Sequence, residues 1–160
     1  MRKLRILWCG ESSWLNTGYA VYANELLTRL YNTNKYDIAE MGCYSSYKEP
    51  LIQEVPWRFY STLPINDEEN AIYNQNINSN QFGSWRFEDI CLDFKPDVVI
   101  DIRDPWMYSY QETSPFRKFY HWIIMPTIDS APQKEDALSS YINADRSEEH
   151  TSELQSRPHI

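Results

Sequence analysis

The chain has 160 residues, 42% hydrophobic and 15% aromatic, which is enough to build one sizeable core and too little for a complete two-domain enzyme. Its 15 Lys+Arg against 23 Asp+Glu give a net charge of −8, and the basic residues are scattered. That argues against nucleic acid or an anionic membrane surface as a partner. Cys9, Cys43 and Cys91 are odd in number, widely spaced and without a C-x-x-C pair, which disfavours a disulfide framework and a structural zinc site and fits a reducing cytoplasm. No apolar run approaches the roughly 20 residues that span a bilayer, and no signal peptide is complete at the start. No integral membrane segment is expected.

Lys3-Leu4-Arg5-Ile6-Leu7-Trp8-Cys9 reads as a first strand ended by Gly10. Polar residues follow up to Gly18. Tyr19, Tyr22, Leu26 and Leu30 then recur at helical spacing, and Ala20, Ala23, Leu27 and Tyr31 widen the stripe. Asn16 or Thr17 caps this helix. Tyr36 to Tyr44 reads as a second strand. Residues 47–83, broken by Pro50, Pro56 and Pro64 and rich in Asn, read as a long excursion with a short strand at Trp57-Arg58-Phe59-Tyr60. The Asn-rich half reads as a surface loop with one helical turn.

Ser84 is the predicted cap of a helix whose face is Phe87, Ile90, Cys91 and Phe94, stopped by Lys95-Pro96. Asp97-Val98-Val99-Ile100-Asp101-Ile102 is nearly continuous in apolar residues, as a parallel strand covered on both faces requires. Arg103 to Met107 reads as a turn, Ser114-Pro115 opens a short helix through Phe119, Trp122 to Pro126 is another buried strand, and Lys134 to Ala144 is helical. Strands alternating with helices predict an α/β fold with a doubly wound, mostly parallel sheet.

Such sheets bind ligands beyond the carboxyl ends of their strands, so the candidate segments are residues 10–18, 103–106 and 127–132. Gly10-x7-Gly18 is neither a dinucleotide fingerprint nor a P-loop. Its backbone N–H groups suit a carboxylate, phosphate or sugar hydroxyl, and the two glycines can equally be there to turn the chain. Arg103 and Asp104 either face a cleft or form a local ion pair. Trp106 reads first as core and second as a stacking platform for a sugar. Asp101, inside its strand, needs a partner such as Arg103 or a backbone donor, or else has a raised pKa. Asp129 can bond sugar hydroxyls or cap a helix. His121 reads as a packed or surface histidine, and the cysteines read as small hydrophobes.

The tail Arg146-Ser147-Glu148-Glu149-His150-Thr151-Ser152-Glu153-Leu154-Gln155-Ser156 resembles the in-frame translation of a sequencing-library adapter. Residues 146–160 are therefore expected to be an artefactual polar tail that packs against nothing, with the natural frame interrupted at about Asp145. Without them the chain carries 13 basic and 20 acidic residues, a net charge of −7.

Three segments in order resemble the N-terminal, acceptor-side domain of a GT-B-fold glycosyltransferase of the retaining family-4 type. They are Leu4-Arg5-Ile6-Leu7-Trp8-Cys9-Gly10 with Asn16-Thr17-Gly18-Tyr19-Ala20, then Phe94-Lys95-Pro96-Asp97-Val98-Val99-Ile100, then Ile124-Met125-Pro126-Thr127-Ile128-Asp129. The resemblance covers about residues 3–145. It implies the Rossmann-like half of a GT-B fold, with Ser13, Asn16, Thr17 and Gly18 at the interdomain cleft and Arg103, Asp104, Trp106 and Asp129 beside them as substrate-binding residues. Many members place a His after the fourth strand, where this chain has Arg103 and Asp104. It further implies transfer of a hexose-like sugar from a nucleotide-diphosphate donor to a sugar or glycan acceptor, with no metal and no cofactor beyond that donor substrate. The donor pocket belongs to a C-terminal domain lying outside these residues, so the fragment alone is expected to be inactive. The competing expectation is a non-catalytic flavodoxin-like or receiver-like ligand-binding module, or an interaction module. A receiver needs an acidic pair after the first strand, and Glu11 supplies half of it.

Overall fold

A computed structural model describes residues 2–46, 48, 55–126 and 135–147. Five strands carry the sheet: β1 (Leu4–Glu11), β2 (Tyr36–Cys43), β3 (Arg58–Ser61), β4 (Val98–Asp101) and β5 (His121–Ile124). A two-residue β6 (Arg146–Ser147) adds to its edge. The order is β3-β2-β1-β4-β5-β6 with every pairing parallel. The expected α/β architecture is therefore present, in the Rossmann strand order rather than the flavodoxin-like one, and β1 and β4 flank the point where that order reverses.

β1 does not stop at Gly10. Gly10 and Glu11 stay in register with Gly42 and Cys43, and a Cβ at Gly10 would lie 3.0 Å from the Trp8 indole nitrogen and 3.2 Å from Ile102. This glycine serves close packing, and neither it nor Gly18 has the positive φ of a turn glycine.

Helix α1 (Gly18–Asn32) is capped by Thr17, whose hydroxyl accepts from the Ala20 N–H at 3.1 Å. Its buried line is Ala20, Ala23 and Leu27, whereas Tyr22 and Tyr31 are exposed. The expected stripe is right in period and displaced by about one residue, because small residues let the helix approach the sheet and push the tyrosines to its flanks.

The Asn-rich stretch, expected to be a surface loop with one helical turn, holds two helices. Asn66 caps α2 (Asp67–Gln75) by accepting from the Glu69 N–H at 2.8 Å, and Glu69 in turn accepts from the Ile65 N–H at 2.9 Å. This Asn-x-x-Glu pattern, in which Glu69 reaches back to the residue before the cap, is readable in sequence. Asn80, at the end of α3 (Ile77–Asn80), is buried, donating to the Ile72 and Tyr73 carbonyls and accepting from Ser84. Ser84 thus braces α3 and does not cap α4 (Phe87–Phe94), whose four apolar residues are all buried as expected. Lys95 closes α4 in the left-handed conformation at φ 54, and Pro96 bars continuation. The predicted turn after Arg103 is instead a short helix, α5 (Pro105–Tyr108), with Pro105 at its start. The predicted helix opened by Ser114-Pro115 is only a 3₁₀ turn at Arg117–Phe119.

The core has two faces. Leu7, Cys9, Met41, Val99, Trp122 and Ile124 pack under α4 with Tyr108 and Tyr120, while Trp8, Ile38 and Ile102 pack under α1 with Trp57. Val98, Ile100 and Ile123 are only half-buried, contrary to the expectation of a strand enclosed on both faces. α1 lies over β1 and β2, and the α4 residues Phe87, Ile90, Cys91 and Phe94 belong to the cluster on the other face.

The segment expected to pack against nothing begins by pairing. Arg146 and Ser147 pair in parallel alongside Ile123 and Ile124 of β5, and the Asp145 carboxylate accepts from the Trp122 N–H at 2.7 Å. An open strand edge accepts any backbone that can bond it, whatever its side chains. A last helix, α6 (Glu135–Asn143), precedes this strand. Among the described residues no helix is long and apolar enough to cross a membrane.

Candidate functional site

The carboxyl ends of β1, β2 and β4 surround a small recess of about 20 Å³, lined by Glu11, Tyr19, Tyr44, Phe82, Asp104 and Met107, with Cys43, Ile102 and Arg103 as its floor. Two of the three expected segments therefore converge on one edge of the sheet. The third, with Asp129, lies outside the described residues. Tyr44 turns the chain at the end of β2 with φ 68, and Phe82 and Trp106 meet edge to face with ring centroids 5.0 Å apart. Trp106 is 60% exposed, so it is a surface ring beside the recess and not core.

Arg103 is 3% exposed. Its Nε donates to Asp101 Oδ1 at 2.7 Å, one Nη to Asp101 Oδ2 at 2.6 Å and the other to the Phe82 carbonyl at 2.6 Å. The Gln111 amide adds a donor to Asp101 Oδ2 at 2.6 Å. Burial pushes the Asp101 carboxyl up, opposed by Arg103 and Gln111. Burial works against the Arg103 charge too, but the carboxylate beside it holds the guanidinium well above its ordinary range. The ion-pair reading of Arg103 therefore holds. The pair anchors Phe82 and forms the recess floor, and its charge is internally neutralised.

The segment between Glu11 and Tyr19 divides by role. Ser12 Oγ donates to the Cys43 carbonyl at 2.8 Å. The Ser13 N–H donates to Glu40 Oε1 at 2.7 Å and its hydroxyl to Glu40 Oε2 at 2.9 Å. Ser13 is buried with both polar groups turned to β2 and does not line the recess. Asn16, Thr17 and Gly18 are exposed at the rim. The Thr17 hydroxyl donates to Glu11, and a side chain at Gly18 would meet nothing within 4 Å.

These contacts decide the chemistry of the recess. Glu11 stands beside the start of α1 and Asp104 lies across from it, while the one cation in the floor is paired. Carboxylates and ring faces suit a ligand that presents hydroxyl donors and C–H surfaces, and they repel an anion that the helix start alone would attract. Asp104 also stands at the N-cap of α5 without a capping hydrogen bond from its side chain.

Outside the recess, His121 is a surface residue 4.0 Å from Asp145. All three cysteines are free and buried. Burial pushes the Cys91 thiol up to about 12, as an inert packing residue requires. No group of His, Cys, Asp and Glu able to hold a metal ion occurs among the described residues.

Sequence reasoning missed Tyr44, Phe82, Met107 and Glu40. Phe82 and Met107 carry no local signal, because the fold brings them to the edge from a loop and a short helix. Glu40 did carry one, as a charged residue inside the apolar run Ile38-Ala39-Glu40-Met41. A scan of the chain against protein-family models finds no match, and a search of curated proteins finds none either.

Proposed function

We propose that the chain is the acceptor-side domain of a retaining glycosyltransferase, binding a sugar or glycan acceptor while a second domain holds the nucleotide-diphosphate donor. The observation that carries this reading is the recess itself. It lies where the strand order reverses, the position at which open parallel sheets bind ligands, and its carboxylates and rings match hydroxyl-rich substrates. Glu11 and Asp104 accept acceptor hydroxyls, Tyr19, Tyr44 and Phe82 supply surface for the sugar ring, and Trp106 extends that surface outward. Thr17 orients Glu11. The donor's phosphates find no unpaired cation among these residues, which agrees with their being bound elsewhere.

Titration of the chain with neutral glycosides and with a uridine-diphosphate sugar, followed by NMR, tests this. Glycosides should shift the resonances of Tyr19, Tyr44 and Trp106, and Asp104→Ala should abolish the shifts without lowering the melting temperature. The uridine-diphosphate sugar should bind far more weakly, if at all. Tight binding of the nucleotide sugar by this chain alone, or no response to any glycoside, would sink the proposal. A response to flavins or other planar ligands instead would favour the non-catalytic ligand-binding module.

A further inference from the structure

Glu40 is completely buried in the middle of β2, and nothing in the proposed binding chemistry uses it. Three donors converge on its carboxylate: the Ser13 N–H, the Ser13 hydroxyl, and the Trp57 indole N–H at 2.6 Å. The neighbouring strands contribute no acidic or basic partner, since its register partners are Trp8 on β1 and Phe59 on β3. The titratable groups of the surrounding elements are Arg5, Cys9 and Glu11 on β1, Tyr19, Tyr22, Glu25, Arg29 and Tyr31 on α1, and Arg58 and Tyr60 on β3. Burial pushes its carboxyl up, opposed only by the hydrogen bonds from Trp57 and Ser13.

We propose that ionised Glu40 is a positioning residue, clamping residues 12–17 at the rim of the recess through Ser13 and bracing that clamp with Trp57. The donor set makes the argument. An N–H of the backbone and an N–H of an indole cannot accept, so only an oxygen without a proton satisfies both. A proton on either Glu40 oxygen faces one of them. Ser13 can rotate its hydroxyl to accept, but its backbone cannot adapt. A proton or an amide nitrogen at the Oε2 position is met by the rotated Ser13 hydroxyl and leaves the Ser13 N–H on Oε1, so protonation or amidation of Glu40 keeps the Ser13 contact and releases the Trp57 brace. The neighbouring staple is indifferent, because the Ser12 N–H and hydroxyl both donate to the Cys43 carbonyl, at 3.2 and 2.8 Å.

The consequence for acceptor binding rests on the carboxyl-edge site proposed above, since Glu11 and Tyr19 flank this loop. The clamp itself is testable without any ligand, so the two readings fail separately.

The test is hydrogen exchange of the Trp57 indole N–H and the Ser13 amide by NMR across pH, on the intact chain and on Glu40→Gln, with thermal melts alongside. In the wild-type chain the Trp57 indole N–H should lose protection as pH falls through the Glu40 titration, while the Ser13 amide keeps its own. In Glu40→Gln the indole N–H should be about tenfold or more less protected and indifferent to pH, as expected for losing a charge-assisted bond. Unchanged indole protection in Glu40→Gln, or an equal loss at the indole and at the Ser13 amide, would overturn the proposal. If Glu40→Gln does not fold, the wild-type pH series decides, and an indole N–H whose protection does not fall with pH overturns the clamp.

Discussion

Glu40 on β2 and Asp101 on β4 flank the same central strand, and both are fully buried. Their surroundings differ in kind. Asp101 has a cation held in two places, so the buried charge is cancelled on the spot, and the pair welds β4 to the Phe82 loop. Among the described residues Glu40 has donors and no cation, so its charge is tolerated through hydrogen bonds from a loop and an indole. A cancelled pair is rigid over the whole working pH range, whereas a carboxylate satisfied only by neutral donors stays sensitive to every donor it has and to protons. The sheet places its rigid buried charge under the recess floor and its adjustable one beside the loop at the rim.

The largest effect that can break this contrast is at Arg103. Arg103→Ala leaves Asp101 buried and uncompensated, and the unfolding free energy in urea should fall by about 3–5 kcal/mol. The double substitution Asp101→Leu/Arg103→Met should recover most of that loss. A double variant no more stable than the single would show that the pair does more than cancel its own charge. Trp57→Phe removes one donor from Glu40 and no charge, so the expected loss is smaller, about 2 kcal/mol. A loss matching that of Arg103→Ala would erase the distinction between the two sites.

Proton linkage separates them further. Because the Glu40 carboxyl sits above its ordinary value of 4.5 in the fold, the folded chain binds that proton before the unfolded chain does. Its contribution therefore favours the fold fully below pH 4.5 and is lost as pH rises through the folded value. The stability of the wild-type chain relative to Glu40→Gln should grow as pH falls from neutral to about 4.5 and stay level below. Asp97 and Asp145 run the other way. Burial pushes Asp97 up, but the hydrogen bonds from Arg2 and the Arg5 N–H outweigh it, and the Trp122 N–H draws Asp145 down. Their contributions are present above 3.8 and disappear as pH falls through the lower folded values. Denaturant titrations at a series of pH values read both windows, and a wild-type advantage that shrinks toward pH 4.5 would contradict the assignment of Glu40.

Thr17→Ala should have the smallest effect, about 1 kcal/mol from the lost cap of α1, measured by thermal melt. The same change frees Glu11 from its hydroxyl donor, so glycoside-induced shifts should weaken while the fold persists.

The alternation of apolar runs with amphipathic helices, the face Phe87-Ile90-Cys91-Phe94, a cap at Asn16 or Thr17 and the need of Asp101 for a partner such as Arg103 were all legible along the chain. Each depends on residues within a few positions of one another, and periodicity and capping are local physics. The two helices in the Asn-rich stretch were equally local, but their asparagines resemble turn formers until Asn66 is read together with Glu69. The candidate segments after β1 and β4 could be located from sequence because parallel strands send all their carboxyl ends to one edge. Which residues there face a ligand could not. Ser13 and Arg103 are polar residues in the expected places, and both are turned inward.

What only the tertiary structure decided is the partnership of groups far apart in the chain. Glu40 meets Ser13 and Trp57, and Arg103 meets Phe82, because strand order and register bring three elements to one point. Composition sets how many buried charges a chain can carry, but their neutralisation is a matter of distances of a few ångströms, which no run of sequence contains.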